Sequence, residues 1–274
     1  MRKVLAVAAL AAAAIGFQTV FALPSHADTL TNVTVGNLNV SAAAGKANNI
    51  TISTNGFGQV VINDTADTVR AGSGCTQINS STVECASVTL VRVFAGDLAD
   101  TVTNNSSVSS HQYGDAGADT LRGGGGTDQF YGGVGNDTTT GSGGNDIYNA
   151  DLPIDGADSF AGGSGVDTAA YNNRAAALTI TLDGVANDGA AGEADNVGSD
   201  VENVLAGFGS DTVQGNGVAN DIRAGQGTDT ISGLGGNDTL NAQDGTGGND
   251  TLNGGTGTDT CFSDVGDTET SCEI

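Results

Sequence analysis

The sequence predicts an all-β chain in which short parallel strands stack as a solenoid. Three observations predict it. A nine-residue unit recurs twelve times. Forty-four Gly against two Pro, no Trp and 4% aromatic residues leave too few large apolar side chains for an ordinary globule of 274 residues. Asp fills the sixth place of eleven of the twelve units, so the repeat carries a regularly placed carboxylate. Such a unit cannot bury its own apolar face, and neighbours must stack on it. Collagen is excluded, because Gly does not recur at every third place and Pro is scarce.

In chain order, residues 1–27 come first. Arg2 and Lys3 form a basic head, residues 4–17 an apolar, Ala-rich run, and Ser25-His26-Ala27 puts small residues where a cleavage site needs them. The run is too short to span a bilayer. The pattern predicts a secretory signal peptide outside the fold, and so a secreted protein. Its removal takes away two cations and no acids, moving the formal charge from −24 to −26. So acidic a chain repels nucleic acid and anionic lipid, and no other stretch is long and apolar enough for membrane insertion. Self-repulsion opposes folding unless cations are bound. Many carboxylates and little apolar surface therefore point to a metal as a structural component.

Residues 28–113 alternate like strands but lack clean nonapeptides. Ile50-Thr51-Ile52, Val60-Val61-Ile62 and the run from Val88 to Val93 are separated by Gly, Asn and Ser. Two degenerate units are visible, one around Asp67-Thr68-Val69 and one at 95–103, AGDLADTVT, with Asp100 in sixth place. Irregular β-solenoid turns are expected here, capping the stack, since a repeat array needs an end that does not polymerise. A separate small β-domain is the alternative.

A first array, 114–170, contains units 114–122, 123–131, 132–140 and 141–149 and, after three extra residues, 153–161 and 162–170. A second, 206–262, contains 206–214, 215–223, 224–232 and 233–241 and, after three more, 245–253 and 254–262. The sixth places hold Asp119, Asp128, Asp137, Asp146, Asp158, Asp167, Asp211, Asp229, Asp238, Asp250 and Asp259, with Asn220 in the remaining unit. The eighth place is mostly apolar (Leu121, Phe130, Tyr148, Phe160, Val213, Ile222, Ile231, Leu240 and Leu252) and is expected to face inward, with Thr139, Ala169 and Cys261 as weaker members. Gly at the first, second and fourth places lets the backbone turn tightly. Tight turns aim carbonyl oxygens at one spot, and the Asp adds a carboxylate there. A site of six or more oxygens suits Ca²⁺, so the eleven aspartates are the predicted metal ligands. At roughly 1 mM free Ca²⁺ and a Kd of about 0.1 mM, linkage contributes about 1.4 kcal/mol per site. Eight independent sites would contribute on the order of 11 kcal/mol, comparable with the whole stability of an ordinary domain, about 5–15 kcal/mol.

GGGGTDQFY at 123–131, GGVGNDTTT at 132–140 and GGTGTDTCF at 254–262 resemble the GGxGxDxUx nonapeptide of RTX, or haemolysin-type, calcium-binding proteins. The resemblance covers about 110 of the 274 residues. It implies a right-handed parallel β-roll in which two units make one turn and each ion lies between loops two units apart. Asp119 would then share an ion with the loop of Asp137, and Asp128 with that of Asp146. Many relatives join such repeats to a protease or lipase part. Here HExxH is absent, Gly163-Ser164-Gly165 is followed by Val166 rather than completing a nucleophile elbow, and after loss of 1–27 the single remaining His, His111, falls in a Ser-rich loop. Toxins and proteases of this type usually leave by a C-terminal signal, so the N-terminal one speaks against a toxin role.

Residues 171–205 interrupt the arrays. Leu178-Thr179-Ile180-Thr181-Leu182 alternates as a strand, and Asp183, Asn187, Asp188, Glu193, Asp195 and Asp200 offer either another oxygen site or a solvated acidic excursion. Residues 263–274 are expected to fold back as a C-terminal cap. The four Cys form two local pairs, Cys75 with Cys85 and Cys261 with Cys272. An exported chain meets oxidising conditions, so disulfides are expected. Three connectivities exist, and stacked turns favour the local one. Zinc is disfavoured by the lack of a C-x₂-C spacing. Thr recurs at the seventh place, which β-propensity explains on an exposed strand; the alternative is an ice-binding face. The expected function is a secreted, non-catalytic calcium-binding repeat protein, a structural or adhesive module with calcium ions and cell-surface or matrix components as partners. A polysaccharide-active enzyme with its catalytic part in the N-terminal half is the competing class.

Overall fold

The computed structural model describes residues 28–34, 36–150 and 156–273; the expected signal peptide, 1–27, lies outside them. The described residues form 27 strands. Among them no helix is long and apolar enough to cross a membrane.

The nonapeptide explains the strands. Its last three places form strands such as Thr120–Arg122, Gln129–Tyr131, Thr212–Gln214 and Thr239–Asn241, each buried only at the middle residue. That residue is the eighth of the unit. Leu121, Phe130, Tyr148, Phe160, Val213, Ile222, Ile231, Leu240 and Leu252 are all buried in one core, as is Ala169; Thr139 is buried too, while Cys261 is partly buried. Strands from units two apart pair in parallel, with Leu121 opposite Thr139 and Phe130 opposite Tyr148. Two units therefore make one turn, and each turn gives one strand to either face. The fold is the expected all-β parallel solenoid.

One face is a single 12-stranded sheet, from Val69–Ala71 at one edge to Thr260–Phe262 at the other. The opposite face is divided into a 9-stranded and a 6-stranded sheet. The division lies at the interruption. The chain leaves the 12-stranded sheet after Thr168–Ala170 and re-enters it at Asn203–Leu205, directly alongside. On the other face, Asn196–Val197 closes the 9-stranded sheet. Leu178–Thr181 pairs antiparallel with Gly189–Ala190 and parallel with Thr212–Gln214, founding the 6-stranded one. On that sheet Thr179, Thr212, Thr230, Thr251 and Thr268 stack in register and are exposed.

At the N-terminal end, Asn37–Ser41 and Asn49–Thr54 pair in parallel with Leu90–Phe94 and Thr101–Asn104, making the first turn. Beyond them pairing becomes antiparallel, except that the edge strand Val69–Ala71 runs parallel to Thr29–Thr34. Thr29–Thr34 lies on Asn37–Ser41, Val60–Asp64 on Asn49–Thr54, Thr82–Cys85 on Val60–Asp64, and Cys75–Asn79 on Thr82–Cys85. The Cys75–Cys85 disulfide joins this last pair, and Cys261–Cys272 ties the C-terminal segment to the final turn. His111, expected in a loop, lies instead on strand Ser109–Tyr113 between Arg92 and Gln129. Its neighbour Tyr113 stacks between Phe94 and Tyr131, with ring centroids 4.9 and 4.6 Å away.

Candidate metal centre

The sixth residue of each unit immediately precedes its strand, so parallel pairing sets the sixth residues of units two apart over one another. Each donates its backbone N–H to Oδ1 of the next. The distances are 2.7 Å for Asp119 to Asp137, and 2.8 Å for Asp128 to Asp146, Asp137 to Asp158 and Asp146 to Asp167. In the second array they are 2.8 Å for Asp211 to Asp229 and Asp229 to Asp250, and 2.9 Å for Asp238 to Asp259. All eleven predicted aspartates stand in these columns, between 0% and 3% exposed. The loops of Asp119 and Asp137, and those of Asp128 and Asp146, are thus direct neighbours.

The second carboxylate oxygen separates the eleven into two groups. In Asp119, Asp137, Asp146, Asp167, Asp229, Asp238, Asp250 and Asp259, Oδ2 is buried and has no hydrogen-bond partner. In Asp128, Asp158 and Asp211 it has one. Asp158 Oδ2 accepts the Tyr148 hydroxyl at 2.7 Å. Asp128 and Asp211 are capped by their own turns, through the N–H of Gly124 at 2.7 Å and of Gly207 at 2.9 Å. Asn220 is capped likewise by Asn216 N–H at 2.9 Å.

Backbone conformation underlies the difference. Among the described residues, seven repeat turns have the second and fourth places both in the left-handed region, as with Gly133 and Gly135 at φ 100° and 141°, or Ser142 and Gly144 at 75° and 112°. There the second N–H does not reach the carboxylate, and Oδ2 is left open. In the three self-capped turns neither place is left-handed. The turn of Asp250 differs from both, with Gly248 but not Thr246 at positive φ, and its Oδ2 is also open. Gly is required most strictly at the fourth place: a Cβ on Gly135 would lie 1.5 Å from the carbonyl oxygen of Gly117 one turn earlier.

Burial dominates the electrostatics. It pushes the carboxyl groups of Asp119 and Asp146 up to about 7, and those of Asp137 and Asp229 up to about 6. Neighbouring carboxylates in the column add to this, Asp137 and Asp100 acting on Asp119. A buried, unpaired carboxylate oxygen is costly. The set fits a hard divalent cation: oxygens only, buried, anionic and unpartnered. Carbonyls adjoin them. A Cβ on Gly114 would lie 2.4 Å from both Asp119 Oδ2 and Gly132 O, and on Gly141 it would lie 2.2 Å from Asp146 Oδ2 and 2.4 Å from Gly162 O. Carboxylate and carbonyl oxygens therefore converge where the first-place Gly leaves room. Among the described residues no three acidic, His or Cys side chains group to hold a metal by themselves, so backbone carbonyls must complete any site.

Four further acids end the columns. Asp195 Oδ1 accepts Asp158 N–H at 3.0 Å, Glu202 Oε2 accepts Asp167 N–H at 2.8 Å, Asp267 Oδ1 accepts Asp250 N–H at 3.3 Å and Glu273 Oε2 accepts Asp259 N–H at 2.6 Å. Sequence reasoning did not place them in the columns, because the nonapeptide spacing of glycines is missing before them. The surviving signal is an acid directly before a strand, as in Asp195-Asn196-Val197 and Glu202-Asn203-Val204. The other acids of the interruption have protein donors. Asp188 accepts from Thr181 and Val197, Asp200 from Gly162 and Gly163, Asp195 Oδ2 from the Tyr171 hydroxyl, and Glu193 pairs with buried Arg174.

A family model described as RTX calcium-binding nonapeptide repeat, in four copies, matches residues 113–148, 205–240 and 244–268. Among curated proteins none matches the chain. The matched residues include open and self-capped turns alike.

Proposed function

We propose that this chain, a calcium-binding repeat protein carrying RTX nonapeptides, is a secreted, non-catalytic module whose arrays fold only when Ca²⁺ is bound. The observation that carries this is the columns of buried carboxylate oxygens without partners. The ligands are the eleven sixth-place aspartates, with the eight open ones foremost. Bound Ca²⁺ neutralises the stacked carboxylates and links oxygens of successive turns. Without it, each open Oδ2 opposes folding by losing its water and gaining nothing. Calcium is scarce inside cells and plentiful outside, so folding would follow export, and both disulfides need the oxidising conditions found there.

In this reading 28–113 caps one end, 114–170 and 206–262 are the calcium-binding arrays, 171–205 separates them, and 263–274 closes the other end. A capped stack with carboxylates committed to metal suits a structural or adhesive role toward cell-surface or matrix components. Circular dichroism of the full mature chain tests the folding claim. In chelator the spectrum should be that of a largely unfolded chain, with a β spectrum returning as Ca²⁺ is added. A β spectrum that persists unchanged in chelator at neutral pH would sink the reading.

A further inference from the structure

We propose a further calcium site at the turn 95–100, outside the matched repeats, formed by the Asp100 carboxylate with carbonyls of its own and adjoining turns. The site presupposes the calcium-binding function proposed above. The family match begins at residue 113, and this unit, AGDLADTVT, has a single Gly. Its backbone nevertheless takes the open form, with Gly96 at φ 105° in second place and Leu98 at φ 73° in fourth. Leu is an unfavourable residue for that region, so the surrounding stack holds the turn open against local preference.

The side chains agree with the backbone. Asp100 is 2% exposed, and its Oδ1 accepts the backbone N–H of Asn48 and, at 3.0 Å, the Asn48 side-chain amide. Its Oδ2 is buried with no partner, and so is Oδ1 of Asn48, a residue 3% exposed. Asp100 N–H donates to Asp119 Oδ1 at 2.7 Å, which puts the turn in register with the matched stack. Asp64 and Asp97 add negative charge around Asp100. The ammonium of Lys46, in the loop that carries Asn48, is paired with Asp67. By contrast, the unit 123–131 matches the repeat letter for letter, yet Gly124 N–H already occupies its carboxylate. The degenerate turn is thus the more open of the two toward a cation. An ion there would join the first regular turn to the loop at 43–48, coupling the antiparallel cap to the array.

The test counts Ca²⁺ bound per full-length chain by equilibrium dialysis at saturating CaCl₂. Asp100→Asn should hold one ion fewer than the wild type while keeping its far-UV spectrum in calcium. An equal count overturns the site. A wild type that binds no calcium would overturn the parent function along with it, so the two failures are distinguishable. If Asp100→Asn does not fold, Asn48→Asp serves instead. A second carboxylate beside Asp100 should tighten one ion by about tenfold, and an unchanged binding isotherm would count against the site.

Discussion

Asp137 and Asp211 occupy the same place in the repeat, are each 1% exposed, and differ by one hydrogen bond to the second oxygen. Asp137→Asn should therefore remove one calcium ion and weaken the cooperativity of binding. Asp211→Asn should cost less, weakening calcium binding without removing an ion; equal losses from both would show that the capping bond does not decide occupancy. Acid provides a second probe. The carboxyl groups of Asp119 and Asp146 titrate near 7 in the fold, and those of Asp137 and Asp229 near 6, against an ordinary value of 3.8. Their contribution to the calcium-free fold is full below about pH 4 and is lost as pH rises through 6 to 7. In chelator the β spectrum should be strongest at acid pH and fade by pH 8. With calcium the order reverses, because protons compete for the same oxygens. A calcium-free chain equally unfolded at pH 4 and pH 8 would contradict this. Column membership of the eleven repeat aspartates was legible from the sequence, since the nonapeptide spacing fixes it, whereas that of Asp195, Glu202, Asp267 and Glu273 was not. Which oxygens stay open was not, because Gly124 and Gly133 are the same letter in the same place and differ only in φ.

At the level of the turn, Gly does two separable things. Gly135 has φ 141° and no room for a Cβ, whereas Gly217 has an ordinary φ and open space around it. Gly135→Ala should cost about 1–3 kcal/mol from backbone strain alone, and Gly217→Ala should stay within about 0.5 kcal/mol. Urea unfolding of each variant in calcium measures both, and equal effects would refute the distinction. Three-residue strands and their inward eighth residues could be read from the nonapeptide itself. Strand direction in the cap could not. Alternation in Ile50-Thr51-Ile52 and Val60-Val61-Ile62 reports a half-buried strand without saying whether its neighbour runs parallel or antiparallel. Here the two pair antiparallel. Nor could alternation reveal that Leu178–Thr181 founds a separate sheet, because that depends on where the chain re-enters the stack.

Across the whole molecule, the ends differ in kind from the middle. The middle stacks buried carboxylates whose second oxygens have no partner, while the cap packs Ile50, Ile52, Val60, Ile62 and Val83 in the core and carries a disulfide. Closing the loop between Cys75 and Cys85, 10 residues apart in sequence, should be worth about 3 kcal/mol. The paired Cys75→Ser, Cys85→Ser variant should lose about that much stability in calcium; no loss would mean that strand pairing alone holds the cap.

The division of one face has a mechanical consequence. The strand ladder runs without a break along the 12-stranded flank, but on the other flank it narrows at the interruption to the backbone bonds between Asp188 and Asp195 and from Gly184 N–H to Val197 O. A load that stretches the unbroken flank must pull against backbone bonds at every level. One that stretches the divided flank meets a narrow point, where few backbone bonds cross. Flexure is therefore directional, easiest when the rod curves concave toward its unbroken spine.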